Sequence, residues 1–355
     1  MISNSSHAAK LLRLAAQRLL MATKLLPAVS LAASLAYLGA AQAHSSSRGA
    51  LSPSLAQANA ALQAGEADKA LALLQSVPQS NDGAAQAANL ECRVRLMLEQ
   101  WETAVSKCQE AVHLDDQDSD YHLWLGRALG EKADRALFLT AYSLAKRTRA
   151  EFEESVRLDP RNADALADLG EFYEQAPGVV GGGIDRAEAI AAKLDSVDPA
   201  LAHVLRAEIA EQQKDYAAAE REYKQAIGAS KHPASHWISL AGFYRRRKQW
   251  TEMEAAVHSG QTAAERDKAE SARAGEALYD GASLLSETHR DPALAAKMFD
   301  DYLAGSAKTE EAPAFVAHLR LARLKDQLGD PAAASRERAA ALALANEYKP
   351  AEGAH

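Results

Sequence analysis

Apolar residues recur along most of the chain at the spacing of one helical face. In "HWISLAGFYRRRKQW" the side chains of Trp237, Leu240, Ala241 and Tyr244 lie three and four residues apart. This interval brings side chains to one side of an α-helix. Alanine is abundant and β-branched runs are scarce, which favours helix over strand. The pattern therefore predicts a protein built from amphipathic helices.

The helical pattern returns every 34 residues. Ala70 and Ala104 occupy equivalent places in two successive segments, and Tyr216 and Trp250 do so in two later ones. Each unit reads as two helices, and several units end in Asp-Pro, as at Pro160, where proline stops a helix. A period of this length is typical of a solenoid, in which each helix pair buries its apolar face against the next pair.

These units resemble the tetratricopeptide repeat (TPR). The family places a large residue, Leu-Gly and Tyr on the first helix of each unit, and "ALADLGEFY" supplies Leu166, Leu169, Gly170 and Tyr173. The resemblance covers residues 55–346 in about eight helix pairs. It implies an all-α fold, a TPR-like superhelical solenoid of antiparallel helix pairs. The terminal units are expected to be atypical because they cap the stack.

Two units carry insertions. The third is extended within residues 131–149, which predicts longer helices, and the fourth holds "PGVVGGG" between its two helices. A phosphate-binding loop would follow a strand and continue into Gly-Lys-Ser/Thr, whereas here a helix precedes the glycines and Ile184 and Asp185 follow. We interpret the stretch as a loop at the edge of the solenoid. Asp185 is predicted to cap the next helix, with Glu188 completing a capping-box-like pair.

The first 43 residues have the features of an export signal. An apolar stretch runs from Leu25 to Gly39 and ends in Ala-Gln-Ala at residues 41–43, a cleavage pattern. Apart from His7, the charged residues within the first 43 positions are all basic, namely Lys10, Arg13, Arg18 and Lys24. We expect residues 1–43 to be a cleavable signal peptide, which implies a periplasmic or secreted location.

Two alternatives remain open for this leader. Met21 opens a more compact signal and is a second candidate start. An uncleaved membrane anchor is the other alternative, which is disfavoured because the apolar run is shorter than the ~20 residues of a membrane span. Residues 44–54 are predicted to be a linker, and residues 347–355 a disordered tail.

The charge balance limits the class of partner. The chain has 40 Lys+Arg against 48 Asp+Glu, and cleavage of the leader would remove four of the basic residues and none of the acidic ones. An acidic surface repels nucleic acid and anionic lipid heads. We therefore expect no nucleic-acid partner and no stable membrane insertion after cleavage. The basic runs at Lys146–Arg149 and Arg245–Lys248 are interpreted as solvated helix faces.

Sequence signatures of catalysis are absent. H-E-x-x-H, C-x-x-C and G-x-S-x-G do not occur, so a metal site and a nucleophile elbow have no support. We expect no cofactor, no metal and no catalytic residues. A carboxylate pair for glycoside cleavage cannot be told from carboxylates on solvated helix faces, so a glycan hydrolase on a helical scaffold stays open as an alternative.

Two cysteines occupy related places in the second unit. The TPR resemblance implies that Cys92, on the first helix, packs against Cys108, on the second. Because an exported protein meets an oxidising compartment, we predict a disulfide between them. The alternative is two buried thiols packed as small hydrophobic side chains.

The TPR resemblance also implies a concave groove lined by the first helix of each pair. The lysine/asparagine clamp of the chaperone-binding members is absent, so chaperone-tail binding is not expected. The positions that line the groove are acidic in the middle with an arginine pair further on, which suits proteins or peptides with basic segments. The predicted groove residues are Leu123, Arg127, Glu171, Glu174, Val204, Glu208, Glu211, Ile238, Arg245 and Arg246.

The function predicted from these features is an exported scaffold that binds other proteins and has no catalysis of its own. A second hypothesis is an accessory or regulatory subunit of an envelope polysaccharide or secretion machine, with the repeats as its docking arm. The glycan hydrolase is the third.

Overall fold

The structure, a computed structural model, describes residues 52–77, 83–267 and 271–349. Within these ranges the chain forms sixteen α-helices and no strand. The predicted signal peptide and residues 350–355 lie outside the described residues. The helices are α1 (Pro53–Gln63), α2 (Ala67–Gln75), α3 (Ala84–Met97), α4 (Trp101–Leu114), α5 (Ser119–Arg135), α6 (Phe138–Leu158), α7 (Ala163–Gln175), α8 (Ile184–Leu194), α9 (Pro199–Gln212), α10 (Tyr216–Ala229), α11 (Ala234–Arg246), α12 (Trp250–Asp267), α13 (Ala272–Glu287), α14 (Pro292–Ala304), α15 (Ala314–Gln327) and α16 (Pro331–Leu344).

The sixteen helices form eight antiparallel pairs, α1 with α2 through α15 with α16, and each pair packs against the next. The prediction of an all-α, TPR-like solenoid of about eight helix pairs is confirmed. Local sequence sets many of the helix starts. Asp215 and Asp330 accept hydrogen bonds from the amides of Ala218 and Ala333, at 2.9 Å each, which satisfies a donor that has no partner inside the helix.

Glycines let neighbouring helices approach closely. Gly126 of α5 faces Phe152 of α6, and a Cβ added at Gly126 would lie 2.5 Å from the aromatic ring. Gly170 of α7 faces Leu205 of α9 and Ile190 of α8 in the same way. The Gly of the repeat pattern is therefore a packing requirement at both positions, because any side chain would displace the opposing helix.

The third pair is longer than its neighbours, as predicted. Helices α5 and α6 have 17 and 21 residues, against 14 residues each for α3 and α4. The extra turns carry the end of this hairpin beyond the edge of the solenoid.

The glycine-rich insertion is an ordered loop. It forms a 3₁₀ turn (Gly178–Val180), and Gly181 has a φ of 99°, which favours glycine. Arg149 donates to the carbonyl of Val180 at 3.2 Å, and Arg186 donates to that of Gly181 at 2.8 Å. The amide nitrogens of residues 180–183 donate to carbonyls of the loop and of α7. They are therefore not directed at a ligand, as a phosphate-binding loop would require.

The predicted helix cap at Asp185 is wrong. The N-cap of α8 is Gly183, and no side chain caps this end of the helix. Asp185 lies in the first turn, one residue after Ile184, because the backbone already enters the helix at Gly183. At this place its carboxylate interacts favourably with the positive end of the helix dipole.

The first and last helix pairs pack against each other and close the solenoid. Leu55 and Leu62 of α1 share a buried apolar cluster with Phe315 of α15 and Ala341 of α16. The backbone at Gly65 comes so near to Ala314 that an added Cβ would lie 2.5 Å from the Ala314 nitrogen. The terminal pairs were expected to cap the stack. They instead cover each other's apolar faces.

Polar contacts surround this cluster. Glu310, on the loop before α15, accepts hydrogen bonds from Gln63 Nε2 and from Arg93 Nε, each at 2.9 Å, and a further one from Arg93. Glu347 lies 3.2 Å from Arg95, and the Tyr348 hydroxyl donates to Glu99 at 3.0 Å. We call these contacts, together with the apolar cluster, the closure contact.

The assignment of residues 347–355 to a disordered tail is corrected in part by the same contacts. The ring of Tyr348 packs on Phe315 with 4.8 Å between centroids. The packed body therefore extends to Tyr348 at the carboxyl end. At the amino end it includes Pro53, which had been assigned to the linker.

Cys92 and Cys108 form the predicted disulfide, with 5.2 Å between their Cα atoms. Both side chains are fully buried, in a cluster shared by α3, α4 and α5. The bond ties the two helices of the second pair at mid-length.

Candidate functional site

The inner face of the closed solenoid surrounds a cavity of about 490 Å³. Its wall is formed mainly by the first helices of pairs two to eight, together with the loop before α15. This is the face on which the sequence placed the groove. Leu96, Phe172, Leu201 and Val204 give part of the wall an apolar character, and charged side chains lie between them.

Charged and aromatic groups meet at one end of the cavity. Two guanidinium groups lie close to the ring of Trp124 of α5, that of Arg93 4.9 Å and that of Arg127 4.5 Å from the ring centroid. Arg127 Nε donates to Asp168 at 2.6 Å, and its Nη1 is 3.9 Å from Glu311, on the loop before α15. This network joins the third, fourth and eighth pairs across the lumen.

The charge states in this network follow from its contacts. Burial lowers the pKa of Arg127, but the carboxylates of Asp168 and Asp164 outweigh burial and hold that pKa above its usual range. On the far wall, Arg273 of α13 lies 3.8 Å from Asp164 and 3.9 Å from Asp198. Opposite charges thus face each other across the narrow lumen.

Carboxylates crowd another part of the wall. Burial raises the pKa of Glu208 well above its usual range, and the neighbouring charges of Glu171 and Glu174 raise it further. Negative charge that is this close and this poorly hydrated favours either a proton or a cationic group.

The predicted groove residues are distributed over several environments. Arg127, Glu171, Val204 and Glu208 line the cavity. Leu123 and Ile238 instead lie in the core, each 3% exposed, and their successors Trp124 and Ser239 face the lumen. The predicted register is therefore one residue off at these two places.

The remaining predicted residues lie at the ends of their helices. Glu174 is buried, with its carbonyl accepting a hydrogen bond from Gln212. Arg246 donates to both carboxylate oxygens of Glu211, at 2.7 and 2.8 Å, and so ties α11 to α9. Arg245 pairs with Glu287 of α13 at 2.9 Å. The arginine pair braces successive helix pairs and does not line the cavity.

Several lining residues lie outside the predicted set. Glu310 and Glu311 are not among the predicted groove residues, and their place in the lumen depends on ring closure. Tyr348 reaches the lumen for the same reason, whereas Arg93 lies on α3, the first helix of the second pair. Asp168 could have been predicted from the repeat pattern, since it lies on the first helix of the fourth pair three residues before Glu171.

A metal centre finds no support in residues 52–77, 83–267 and 271–349, where no cluster of three or more His, Cys, Asp or Glu side chains suits a metal ion. Over the same ranges, none of the helices combines the length and the apolar character that a bilayer crossing requires.

Comparison with solved structures returns TPR proteins. The chain is similar to TTC0263, a thermophilic TPR protein of Thermus thermophilus, at 17% identity and a TM-score of 0.46, over 54% of this chain and 96% of that one. It is similar to pilF of Pseudomonas aeruginosa at 17% identity and a TM-score of 0.37, over 62% and 91%.

A tetratricopeptide repeat protein of Parabacteroides merdae shows 13% identity and a TM-score of 0.41, over 77% of this chain and 97% of that one. Neither a protein-family model nor a curated protein matches the chain.

Proposed function

We propose that this protein is an exported scaffold that binds a short, extended polypeptide segment with basic side chains in the lumen of the solenoid, and that it has no catalysis of its own. The observation that carries the proposal is the pair of acidic side chains of Glu171 and Glu208, which line a partly apolar part of the wall. Bringing a lysine or arginine to these groups relieves their mutual repulsion, while the apolar wall takes the stem of the side chain.

The size of the cavity selects an extended segment. A helix with its side chains is about 10–12 Å across, whereas opposing walls of this lumen approach within ion-pair distance, as at Arg127 and Glu311. A volume of about 490 Å³ lies in the range of sites for small ligands and suits a few residues of a peptide.

The disulfide supports export. Cys92 and Cys108 are bonded and fully buried, and such bonds persist in oxidising compartments such as the periplasm. Fractionation of cells that carry the gene, with the chain detected by antibody, tests this part. Recovery in the periplasm or medium is expected, and recovery in the cytoplasm with both thiols reduced contradicts it.

Selection of displayed random peptides on the immobilised chain tests the binding site. Peptides rich in lysine or arginine are expected, and the Glu171→Gln/Glu208→Gln variant should bind the best of them at least about tenfold more weakly, which corresponds to 1.4 kcal/mol. Glu188→Gln, on the exposed face of α8, is the matched control. Equal affinity in the lumen variant, or selection of acidic peptides, contradicts the proposal.

An assay of glycan cleavage distinguishes the hydrolase alternative from the scaffold proposal. We expect no release of reducing ends from cell-wall glycans by the purified chain. Turnover that the Glu208→Gln variant loses would make the lumen carboxylates catalytic and would overturn the scaffold proposal.

A further inference from the structure

The end of the long third hairpin carries the most exposed apolar side chains in the described part of the chain. Leu137, Phe138 and Leu139 are consecutive and are 87%, 46% and 79% exposed. The other large apolar residues that are comparably exposed, such as Leu328 and Leu342, are isolated along the sequence. We call residues 137–139 the apolar tip. Contiguous exposed apolar residues mark a surface that meets a partner or a membrane.

The tip projects from the solenoid. Helix α6 has seven residues more than α4, its counterpart in the preceding pair, which corresponds to roughly 10 Å at 1.5 Å per residue. The glycine-rich loop packs beside α6 at Arg149, well behind the tip. A flat partner could therefore touch the tip without meeting the rest of the edge.

Basic side chains follow the tip along the exposed side of α6. Lys146 and Arg147 are exposed, as are Leu139 and Ser143, and the spacing of these four residues places them on one stripe of the helix. Arg147 lies about 12 Å from Leu139 along the axis. Neither Lys146 nor Arg147 forms an ion pair with any residue that the structure describes.

The charge around the tip differs from that of the whole chain. Between Arg135 and Ala150 the sequence has four basic and no acidic residues, whereas the chain carries a formal charge of −8. On the other helix of the hairpin, Lys132 and Arg135 pair with Glu102 and Glu131, so the uncompensated positive charge lies on α6.

We propose that the tip is a membrane-contact site for bilayers that contain anionic phospholipid, in which Leu137, Phe138 and Leu139 enter the interface while Lys146 and Arg147 lie at the headgroups. Apolar side chains next to lysine and arginine suit the boundary between acyl chains and headgroups. The acidic remainder of the surface is repelled by the same bilayer, so the tip is the part that approaches and the protein is oriented with its hairpin towards the membrane.

This proposal differs from the sequence-based interpretation of the basic run Lys146–Arg149 as a solvated face. The basic run indicates a membrane contact only in combination with the exposed apolar residues 137–139, which precede it on the hairpin. It is independent of the lumen and of the function proposed for it.

A local fluorescence measurement on the full chain tests the site. An environment-sensitive nitrobenzoxadiazole label is attached at Thr140→Cys, beside the tip, and in a second sample at Ser335→Cys on α16. Both positions are exposed, and the native cysteines do not react because they are bonded to each other. Vesicles of phosphatidylcholine alone, or with phosphatidylglycerol, are then titrated in. Because the readout is local, binding through residues 1–43 cannot mimic contact by the tip.

We expect a blue shift at position 140 with phosphatidylglycerol vesicles, and no comparable shift at position 335 or with phosphatidylcholine alone. Leu137→Ser/Leu139→Ser should abolish the shift, and serine at position 137 suits the N-cap of α6. Lys146→Gln/Arg147→Gln should weaken vesicle binding about thirtyfold, the effect of two basic residues near an anionic surface. Leu328→Ser/Leu342→Ser and Lys231→Gln/Arg336→Gln are the matched controls and should behave as the parent chain.

Several results would overturn the proposal. These are no shift at position 140 with anionic vesicles, an equal shift at position 335, an equal shift with phosphatidylcholine alone, or controls that lose binding as the tip variants do. A shift that grows with protein concentration in the absence of vesicles would identify the tip as a self-association surface and would likewise contradict membrane contact.

Discussion

The ion pair between Arg93 and Glu310 offers the sharpest test of ring closure, because it joins residues 217 positions apart. Their side chains are only 16% and 7% exposed, so the pair has little access to water. Replacing Arg93 with glutamine leaves the Glu310 carboxylate with Gln63 as its remaining partner in the closure contact, and replacing Glu310 leaves the guanidinium over Trp124 without that carboxylate.

The expected energies follow from burial. Removing one partner of a buried ion pair costs about 3–5 kcal/mol, because the other charge stays in a poorly hydrated site. Arg93→Gln and Glu310→Gln should each destabilise the chain by about that amount. The double variant should cost less than the sum of the two, with a coupling energy of about 2–3 kcal/mol, since residues in direct contact are not additive.

Urea unfolding of the four proteins gives the coupling energy, and hydrogen exchange shows where stability is lost. Exchange should accelerate in α1, α2, α15 and α16 and should change little in the central pairs, since repeat pairs gain stability from their neighbours. The exposed pair Arg206–Asp195 is the control, for which a coupling of ~0–1 kcal/mol is expected. Additivity of Arg93→Gln and Glu310→Gln within about 0.5 kcal/mol, with unchanged exchange at both ends, would refute the closed ring.

Three further predictions concern single features of the fold. Alkylation of unfolded, unreduced protein should find no thiol, and Cys92→Ala/Cys108→Ala should lower the free energy of unfolding by ~3 kcal/mol in urea titrations. Burial lowers the pKa of His236 to about 4, assisted by Arg273. The unfolded histidine titrates near 6.5, so the neutral side chain contributes its full share to the free energy of unfolding above pH 6.5. That free energy should fall by up to about 3 kcal/mol as the pH is lowered from 6.5 to 4. His236→Gln should remove this pH-dependent loss. Gly126→Val should cost about 1–3 kcal/mol by overpacking against Phe152, and Phe152→Ala in the same chain should recover part of it.

Each of these has an outcome that would contradict it. Alkylation of two thiols would show that Cys92 and Cys108 are not bonded to each other. A pH profile that His236→Gln does not flatten would remove the buried histidine as the cause. If Gly126→Val lowers the free energy of unfolding equally in the parent chain and in the Phe152→Ala chain, residues 126 and 152 are not in contact.

The helix pairs could be predicted because their signal is local. The spacing of Trp237, Leu240, Ala241 and Tyr244 specifies a helical face within one turn or two, and the 34-residue period repeats that information. The disulfide followed from the same repeat, since its two positions face each other within a single pair.

Ring closure could not be predicted in this way. It depends on the small rotation between successive pairs, summed over eight of them, and no local pattern records that sum. The cavity residues Glu310, Glu311 and Tyr348 come into the lumen only through closure. The errors at Leu123 and Ile238 have a second cause, because the face of a helix is wider than one residue and adjacent positions compete for the inner wall.

Small-angle X-ray scattering of the chain from Ser45 onward tests the closed solenoid most directly. Closure predicts a compact particle with a radius of gyration close to the ~19 Å expected for a compact chain of about 300 residues. An elongated scattering profile with a radius of gyration above about 25 Å, well beyond that of a compact chain of this length, would contradict closure of the first pair on the last.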